Sequence, residues 1–346
     1  MKKRISVVMG GPSAEHEVSL ATGRQILENL DRKKYTVRAI VVTRDLKFYF
    51  CDATAKTPAL EQLARPGKKV FQGPFSASTS RPVWEKTDVA VLGLHGEYGE
   101  DGRIQGFLET LGIAYTGSGV LASAIGMDKI ASKRIFDAIG LSTPPSSIFQ
   151  SGNPLHTADK IAAKHGFPCF VKCPQSGSSR LMGRARDMQE LQTLLRSLSR
   201  QAAHLLVETA VTGDEYSCPV LEYPSGELKA LAPILIRPVT SSFFDYRAKY
   251  SAGASEEIVP APCGEKLTRR IQEIALRVHQ TLGCRGLTRT DMILSGNTLY
   301  VLEINTLPGL TPASLAPKAF AAGGGTYPQL LDILIDTALR IKRTAG

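Results

Sequence analysis

Three apolar runs restrict most strongly what this chain can fold into: Ile5 to Met9, Val37 to Val42 and Val89 to Leu94. Each is short and almost wholly apolar, the pattern of a strand buried within a sheet rather than lying on its surface. Helical periodicity around Ser19 to Leu30 separates the first two, which predicts a doubly wound α/β domain with a parallel sheet over about residues 1–125. The start, Met1-Lys2-Lys3-Arg4 followed by Ile5 to Met9, has the charge order of a signal peptide. Its apolar stretch is too short and runs into Gly10-Gly11, so it reads as a first strand. The segment Cys51 to Pro82, rich in Pro, Gly, Ser and Lys, reads as a loop excursion.

A different pattern begins near Met127. A helix is expected at Met127 to Ile139, a strand at Phe167 to Lys172, a helix at Asp187 to Leu198 and a strand at Leu205 to Glu208. These make a central α+β unit over about 126–215, to which a strand Tyr216 to Val220 attaches. The third unit, 216–346, carries strands near Leu228 to Ile236, an irregular stretch Val239 to Glu257, a helix Lys266 to Leu282, a hairpin and a closing helix Tyr327 to Lys342. The irregular stretch is long for a passive connection and reads as a binding loop or lid. A length of 346 residues suits two or three domains.

Composition narrows the function classes. No apolar run approaches the roughly 18 to 20 residues needed to cross a bilayer. Six cysteines at irregular positions give neither a zinc spacing nor a disulfide framework, so free thiols in a reducing cytoplasm are expected. The net charge of +10 suits a polyanionic ligand, but the Lys and Arg residues are dispersed and do not interleave with aromatics. A nucleotide is favoured over nucleic acid.

The hairpin carries the chemistry. A strand period of two places Arg289 and Asp291 on one face and Glu303 and Asn305 on one face of the neighbouring strand. With a loop of Gly296-Asn297-Thr298, Asp291 lies opposite Glu303 and Arg289 opposite Asn305. Opposed carboxylates repel unless a cation or a shared proton lies between them. Magnesium suits the pair, since it takes one or two carboxylates and completes its shell with water and phosphate oxygens. A solvated face with scattered charges is the plain alternative, and a turn of another length would undo the opposition.

Other candidates sit at strand ends. Gly10-Gly11 lets backbone approach a ligand beside a helix N-terminus, and Glu15 is the nearer acid, with Glu17 serving the helix dipole. His95 directly follows the third apolar strand, in a loop with Glu97, Glu100 and three glycines, and could equally be a core histidine. Lys172 closes a strand before Gln175-Ser176-Gly177-Ser178-Ser179, a small-residue loop able to fold amides over phosphates. Lys129, Glu208 and Glu215 are individually ordinary surface charges.

In order along the chain, GGPSAEHEVSL, HGEYGEDGRIQG, YTGSGVLASAIGMDKIASK, VK with GSS five residues on, YRAKY and EINTLPGLTPASL resemble the D-alanine:D-alanine ligase family of the ATP-grasp superfamily. The resemblance covers nearly the whole chain. It implies an ATP-grasp architecture, in which two α+β domains grip ATP behind the N-terminal α/β domain. It also implies ATP-dependent joining of two D-alanines through an acyl phosphate, for peptidoglycan synthesis by a cytoplasmic homodimer. Asp291, Glu303 and Asn305 would hold two Mg²⁺ ions, with Mn²⁺ able to substitute. Arg289 and the amide of Gly309 would stabilise the tetrahedral oxyanion, while Lys129, Lys172 and Lys249 would meet phosphates. Glu208 and Glu215 would bind the adenine and ribose ends. Glu15 would bind the first ammonium and join Ser178 and Tyr250 in closing the lid, His95 would line the first subsite, and Ser314 would meet the second carboxylate. Two departures stand out: Arg180-Leu181-Met182-Gly183 replaces a small apolar and glycine sequence, and Cys173 stands where proline is usual. They keep open an enzyme with another acceptor, or a nucleotide-binding paralogue that does not catalyse.

Overall fold

The computed structural model describes residues 2–153, 157–176, 181–238 and 255–345. Its first sheet is built from β1 (Lys3–Gly10), β2 (Tyr35–Val42), β3 (Phe48–Asp52), β4 (Gln72–Phe75), β5 (Val89–Leu92) and β6 (Ala114–Tyr115), in the order β4-β3-β2-β1-β5-β6. The three apolar runs form its parallel centre, with β1 between β2 and β5. Ile5, Val7, Val8 and Met9 are all buried, as strands covered on both faces must be. The segment expected as an excursion, Cys51 to Pro82, begins in the last two residues of β3 and supplies β4, the two strands pairing antiparallel at one side of the sheet. The edge strand β4 is four residues long with none of them buried, so its apolar signal is weak, whereas β3 is largely buried between β2 and β4.

At the carboxyl end of β1 the chain turns sharply into the helix His16–Asn29. Gly10 has φ +92°, and a Cβ there would lie 2.2 Å from the Val42 carbonyl oxygen, so glycine is required. The Ser19 hydroxyl accepts from the Gly10 amide (2.8 Å) and donates to the Gly93 carbonyl (2.7 Å), tying helix, β1 and the end of β5 together.

The helix expected at Met127 to Ile139 is Lys129–Ala138, and a separate helix, Val120–Met127, precedes it. Asp128 lies between them as an N-cap, its carboxylate accepting from the amides of Ile130 and Ala131 at 3.0 Å. The second sheet, β7 (Ser146–Gln150), β8 (Cys169–Lys172), β9 (Met182–Ala185) and β10 (His204–Thr209), is antiparallel in the order β7-β10-β8-β9. Helices Ala158–His165 and Met188–Leu198 contribute to its core through Ile161, Leu191, Leu195 and Leu198.

The third sheet holds β11 (Asp214–Glu222), β12 (Leu228–Ala230), β13 (Ile234–Pro238), β14 (Ser255–Ile258), β15 (Leu287–Ser295) and β16 (Thr298–Asn305). Its order is β14-β13-β11-β15-β16, with β12 also on β11. The strand around Tyr216 to Val220 is therefore part of this sheet and not of the central unit, because β11 takes its partners from β13 and β15. Pairing across such sequence distances leaves no mark in the local pattern. Within the stretch expected to be irregular, 255–258 forms β14, and 239–254 lies outside the described residues. Helix Gly264–Thr281 covers this sheet through Ile271, Ala275 and Val278, and helix Tyr327–Ala345 shares one core with the first sheet. No described helix is long and apolar enough to cross a membrane, and all six cysteines are free.

His279, on the covering helix, is 1 % exposed, and its Nδ1 lies 2.8 Å from the Thr288 hydroxyl. Burial pushes its pKa down to about 4 from 6.5. Between these values the unfolded chain binds the proton and the folded chain does not, so stability falls as pH drops from 6.5 toward 4. Urea unfolding is expected to show a loss of order 3 kcal/mol in that window from this group. His279→Gln should flatten that part of the profile, and an unchanged slope would reject the assignment.

Candidate functional site

The hairpin β15–β16 has the opposition expected of it, by a different route. Ser295 pairs with Thr298, so the turn is the two-residue Gly296-Asn297, with Gly296 at φ +57°. That register alone would set Asp291 against Leu302. A bulge after Asp291 takes up one residue on β16, and beyond it Asp291 faces Glu303 and Arg289 faces Asn305. The bulge is what re-aims the functional face of the strand.

Each opposed acid has its own cation. Arg289 clamps Asp291 with two parallel bonds, Nε to Oδ1 at 2.9 Å and a terminal nitrogen to Oδ2 at 2.8 Å. Ser217, on β11, donates a third bond to Asp291 Oδ1 at 2.5 Å. Burial works against the Arg289 guanidinium, but Asp291, with Glu303 and Glu100 behind it, outweighs that and raises its pKa. Across the hairpin, the Lys129 ammonium lies 2.9 Å from Glu303 Oε2 and donates to the Ser176 carbonyl at 3.1 Å. Burial likewise opposes the Lys129 charge, and Glu303, Glu208 and Glu100 more than compensate.

Lys129 is the first residue after the Asp128 cap, and the Lys129 amide bonds the Pro174 carbonyl at 3.0 Å. This places it at the phosphate-type loop that follows Lys172. The Lys172 ammonium itself rests on Glu208 Oε2 at 2.6 Å, and the other carboxylate oxygen of Glu208 takes Lys133 at 2.9 Å. Glu208 is 5 % exposed. Burial alone would raise its pKa, yet Lys172 and Lys133 hold it below the usual value.

The first sheet contributes the remaining wall. Glu15, the residue capping helix His16–Asn29, is buried, and a Cβ on Gly96 would lie 2.9 Å from its Oε2, so the loop after β5 packs directly on this carboxylate. The buried His95 ring has Nε2 at 2.9 Å from the Thr22 hydroxyl and Nδ1 at 3.7 Å from Glu100 Oε1. Glu97 pairs with exposed Arg103, and Glu17 with Arg44, as surface acids do. After β16, the Ser314 hydroxyl lies 2.8 Å from that of Thr311, and a Cβ on Gly309 would come within 2.9 Å of Ser314 Oγ. Gly309 thus keeps its backbone pressed against Ser314.

These side chains line two adjoining cavities. One, of about 330 Å³, is bordered by Glu15, His95, Arg289, Asn305, Gly309 and Ser314. The other, of about 280 Å³, lies between the second and third sheets and is bordered by Phe170, Lys172, Glu208, Met182, Ala210 and Ile293. Lys129, Glu215, Asp291 and Glu303 border both. Ser178, Lys249 and Tyr250 lie outside the described residues, as do Arg180 and most of the expected lid.

Sequence reasoning missed Lys133 and Ser217. For Lys133 the signal was present: it falls with Ser132 and Phe136 on the buried stripe of helix Lys129–Ala138, where a lysine needs a partner. Ser217 carried no signal, because its contact with Asp291 depends on the pairing of β11 with β15.

Comparison with known proteins bears on this arrangement. The family model described as D-ala D-ala ligase N-terminus matches residues 4–118, and that described as D-ala D-ala ligase C-terminus matches 135–336. A D-alanine--D-alanine ligase of Leptospira biflexa is 39% identical, with 98% of this chain and 99% of that protein covered. One from Syntrophobacter fumaroxidans is also 39% identical, with 98% of each covered. Among solved structures, the VanG D-Ala:D-Ser ligase of Enterococcus faecalis superposes with a TM-score of 0.85 at 31% identity, covering 98% of this chain and 100% of that one. The D-alanine--D-alanine ligase of Bacillus anthracis complexed with ATP gives 0.78 at 32% identity, covering 99% and 100%. With both halves matched by the family models and nearly the whole chain covered at 39% identity and at TM-scores of 0.78 and 0.85, the chain belongs to the D-alanine:D-alanine ligase family and has its ATP-grasp fold.

Proposed function

We infer that the protein joins two D-alanines at the expense of ATP, giving D-alanyl-D-alanine for peptidoglycan, ADP and phosphate. The observation that carries this reading is the shared border of the two cavities. A nucleotide in the slot between the second and third sheets would direct its phosphates to Lys129, Asp291 and Glu303, where the neighbouring cavity presents an amino acid carboxylate. That carboxylate takes the γ-phosphoryl group to give an acyl phosphate. The amine of the second D-alanine then attacks the acyl carbon, and the tetrahedral species collapses with loss of phosphate.

The roles are those the family resemblance implies, supported by position where the residue is described and resting on the resemblance alone for Lys249, Ser178 and Tyr250. Arg289 and the Gly309 amide border the amino acid cavity and stabilise the oxyanion, preorganised donors being most effective where charge develops. Lys172, Lys129 and Lys249 hold phosphates, and Glu208 and Glu215 hold adenine and ribose. Glu15 receives the first ammonium beside His95, and Ser314 the second carboxylate. Ser178 and Tyr250 join Glu15 in excluding water, which would otherwise hydrolyse the acyl phosphate.

The donors at the hairpin suit Mg²⁺. Asp291, Glu303 and Asn305 offer only hard oxygen atoms, and the described residues hold no cluster of three or more His, Cys, Asp or Glu side chains. A sparse set of this kind fits an ion that completes its shell from phosphates and water, and the Lys129 ammonium paired with Glu303 supports the reading that positive charge is favoured there. When bound, two such ions, or Mn²⁺ in their place, would neutralise charge on the transferring phosphoryl group. From the family resemblance, the reading includes a cytoplasmic location and a homodimer.

A phosphate-release assay over a panel of amino acids tests the reading. Turnover is expected to require D-alanine and Mg²⁺, with the dipeptide as product. Turnover with D-serine alone would move the chain to another acceptor class, and nucleotide binding without turnover would sink both enzyme readings.

A further inference from the structure

Lys133 has no part in the roles assigned above, yet it is 7 % exposed, which a lysine without a task rarely tolerates. Its ammonium donates to the Pro144 carbonyl and to Glu208 Oε1. Glu208 thus carries two ammonium groups, Lys133 on one oxygen and Lys172 on the other. A single lysine would balance one buried carboxylate. Two leave the group with one positive charge in excess, an arrangement that costs free energy until an anion joins it.

The two lysines hold different oxygens of Glu208. Glu208 and Lys172 border the nucleotide cavity, whereas Lys133 is not among its lining residues and borders the adjoining wide groove with Ser146, Ile148 and Leu206, on the same face of the second sheet. Lys133 therefore bears on the nucleotide cavity through Glu208. We propose that Lys133 is a positioning residue for nucleotide binding: it neutralises Glu208 through the other carboxylate oxygen, so that Lys172 can leave that carboxylate for the triphosphate. The proposal rests on the reading of the slot between the second and third sheets as the ATP site. When Lys172 moves to phosphate, Glu208 remains ionised and held in place, with its second oxygen free to accept from the base. Without Lys133 the departure of Lys172 would strand a buried carboxylate, so Lys172 would stay on Glu208 and the phosphates would lose it.

Calorimetric titration of the full chain with a non-hydrolysable ATP analogue and Mg²⁺ provides the test. Lys133→Met is expected to weaken the analogue at least tenfold and to raise KM for ATP by a similar factor, with adenosine affinity and KM for D-alanine unchanged. Lys133→Arg should restore most of the loss. Should Lys133→Met alone fold poorly, Glu208→Gln and Lys133→Met/Glu208→Gln are compared. With an uncharged amide at 208, removing the lysine should change analogue affinity less than about twofold. Analogue affinity unchanged in Lys133→Met, equal losses for ATP, adenosine and D-alanine, or a tenfold effect persisting in the Glu208→Gln background would overturn the proposal. Wild-type binding without D-alanine turnover would overturn only the ligase reading, whereas no wild-type nucleotide binding would overturn both.

Discussion

Replacing Glu303 with glutamine is expected to lower kcat by about a thousandfold while leaving the fold intact. The change removes one of two carboxylates that face each other across β15 and β16, and with it half of the anionic charge available to a divalent ion. Metal stabilisation of phosphoryl transfer amounts to several kcal/mol, and each ~1.4 kcal/mol corresponds to a factor of ten in rate. The amide is nearly the same shape, the Glu303 side chain is 26% exposed, and the strand is held by its ladder with β15, so thermal unfolding should shift by only a few degrees. Phosphate release and circular dichroism on the same preparation decide the matter. A variant with wild-type turnover would remove Glu303 from the metal set.

The second large effect is expected at Arg289, where the informative substitution is lysine. Arg289→Leu would leave Asp291 buried with the neutral Ser217 hydroxyl still donating to it, and an uncompensated buried charge destabilises a protein by roughly 3–5 kcal/mol, confusing stability with chemistry. Lysine keeps the positive charge but not the planar fork that spans both carboxylate oxygens and still presents donors to the cavity. Loss of one oxyanion donor typically costs about 10²–10³ in kcat, so Arg289→Lys should fall in that range with KM for ATP little altered. Rapid-quench analysis should show ADP formed faster than dipeptide. Dipeptide formation at the wild-type rate would place the oxyanion elsewhere.

How much of this was legible in the sequence depends on the range over which each feature is decided. The central strands of the first sheet were readable because burial on both faces leaves uninterrupted apolar runs, and the turn at Gly10 because only glycine fits beneath the Val42 carbonyl. The edge strand β4 was not, since none of its four residues is buried, and the short apolar run of β3 was a local signal left unread. Asp128 dividing two helices is a local signal that was overlooked. The facing of Asp291 and Glu303 was anticipated from a three-residue loop, whereas a two-residue turn and a bulge together give the same result. Two errors of one residue cancelled, because the bulge is set by pairing and packing rather than by residues at the turn. Membership of β11 in the third sheet was equally beyond local pattern, and the Ser217 contact to Asp291 follows from it.

The packing of helix Tyr327–Ala345 has a consequence for how the molecule is made. Its Leu330, Leu331, Leu334 and Ile335 share a core with Ile5, Val7 and Val37, and its Asp332 and Asp336 receive Lys34, Tyr35 and Lys3. The first sheet is thus sealed by residues that leave the ribosome last among those described. At ~5–20 residues per second, the interval between the emergence of β1 and of this helix is on the order of tens of seconds. During it, the face of β1 and β2 that the helix later covers has no lid, and nascent chains on one messenger carry that face side by side. Synthesis order therefore makes this surface the one in need of a chaperone, although in the finished protein it is among the most deeply buried.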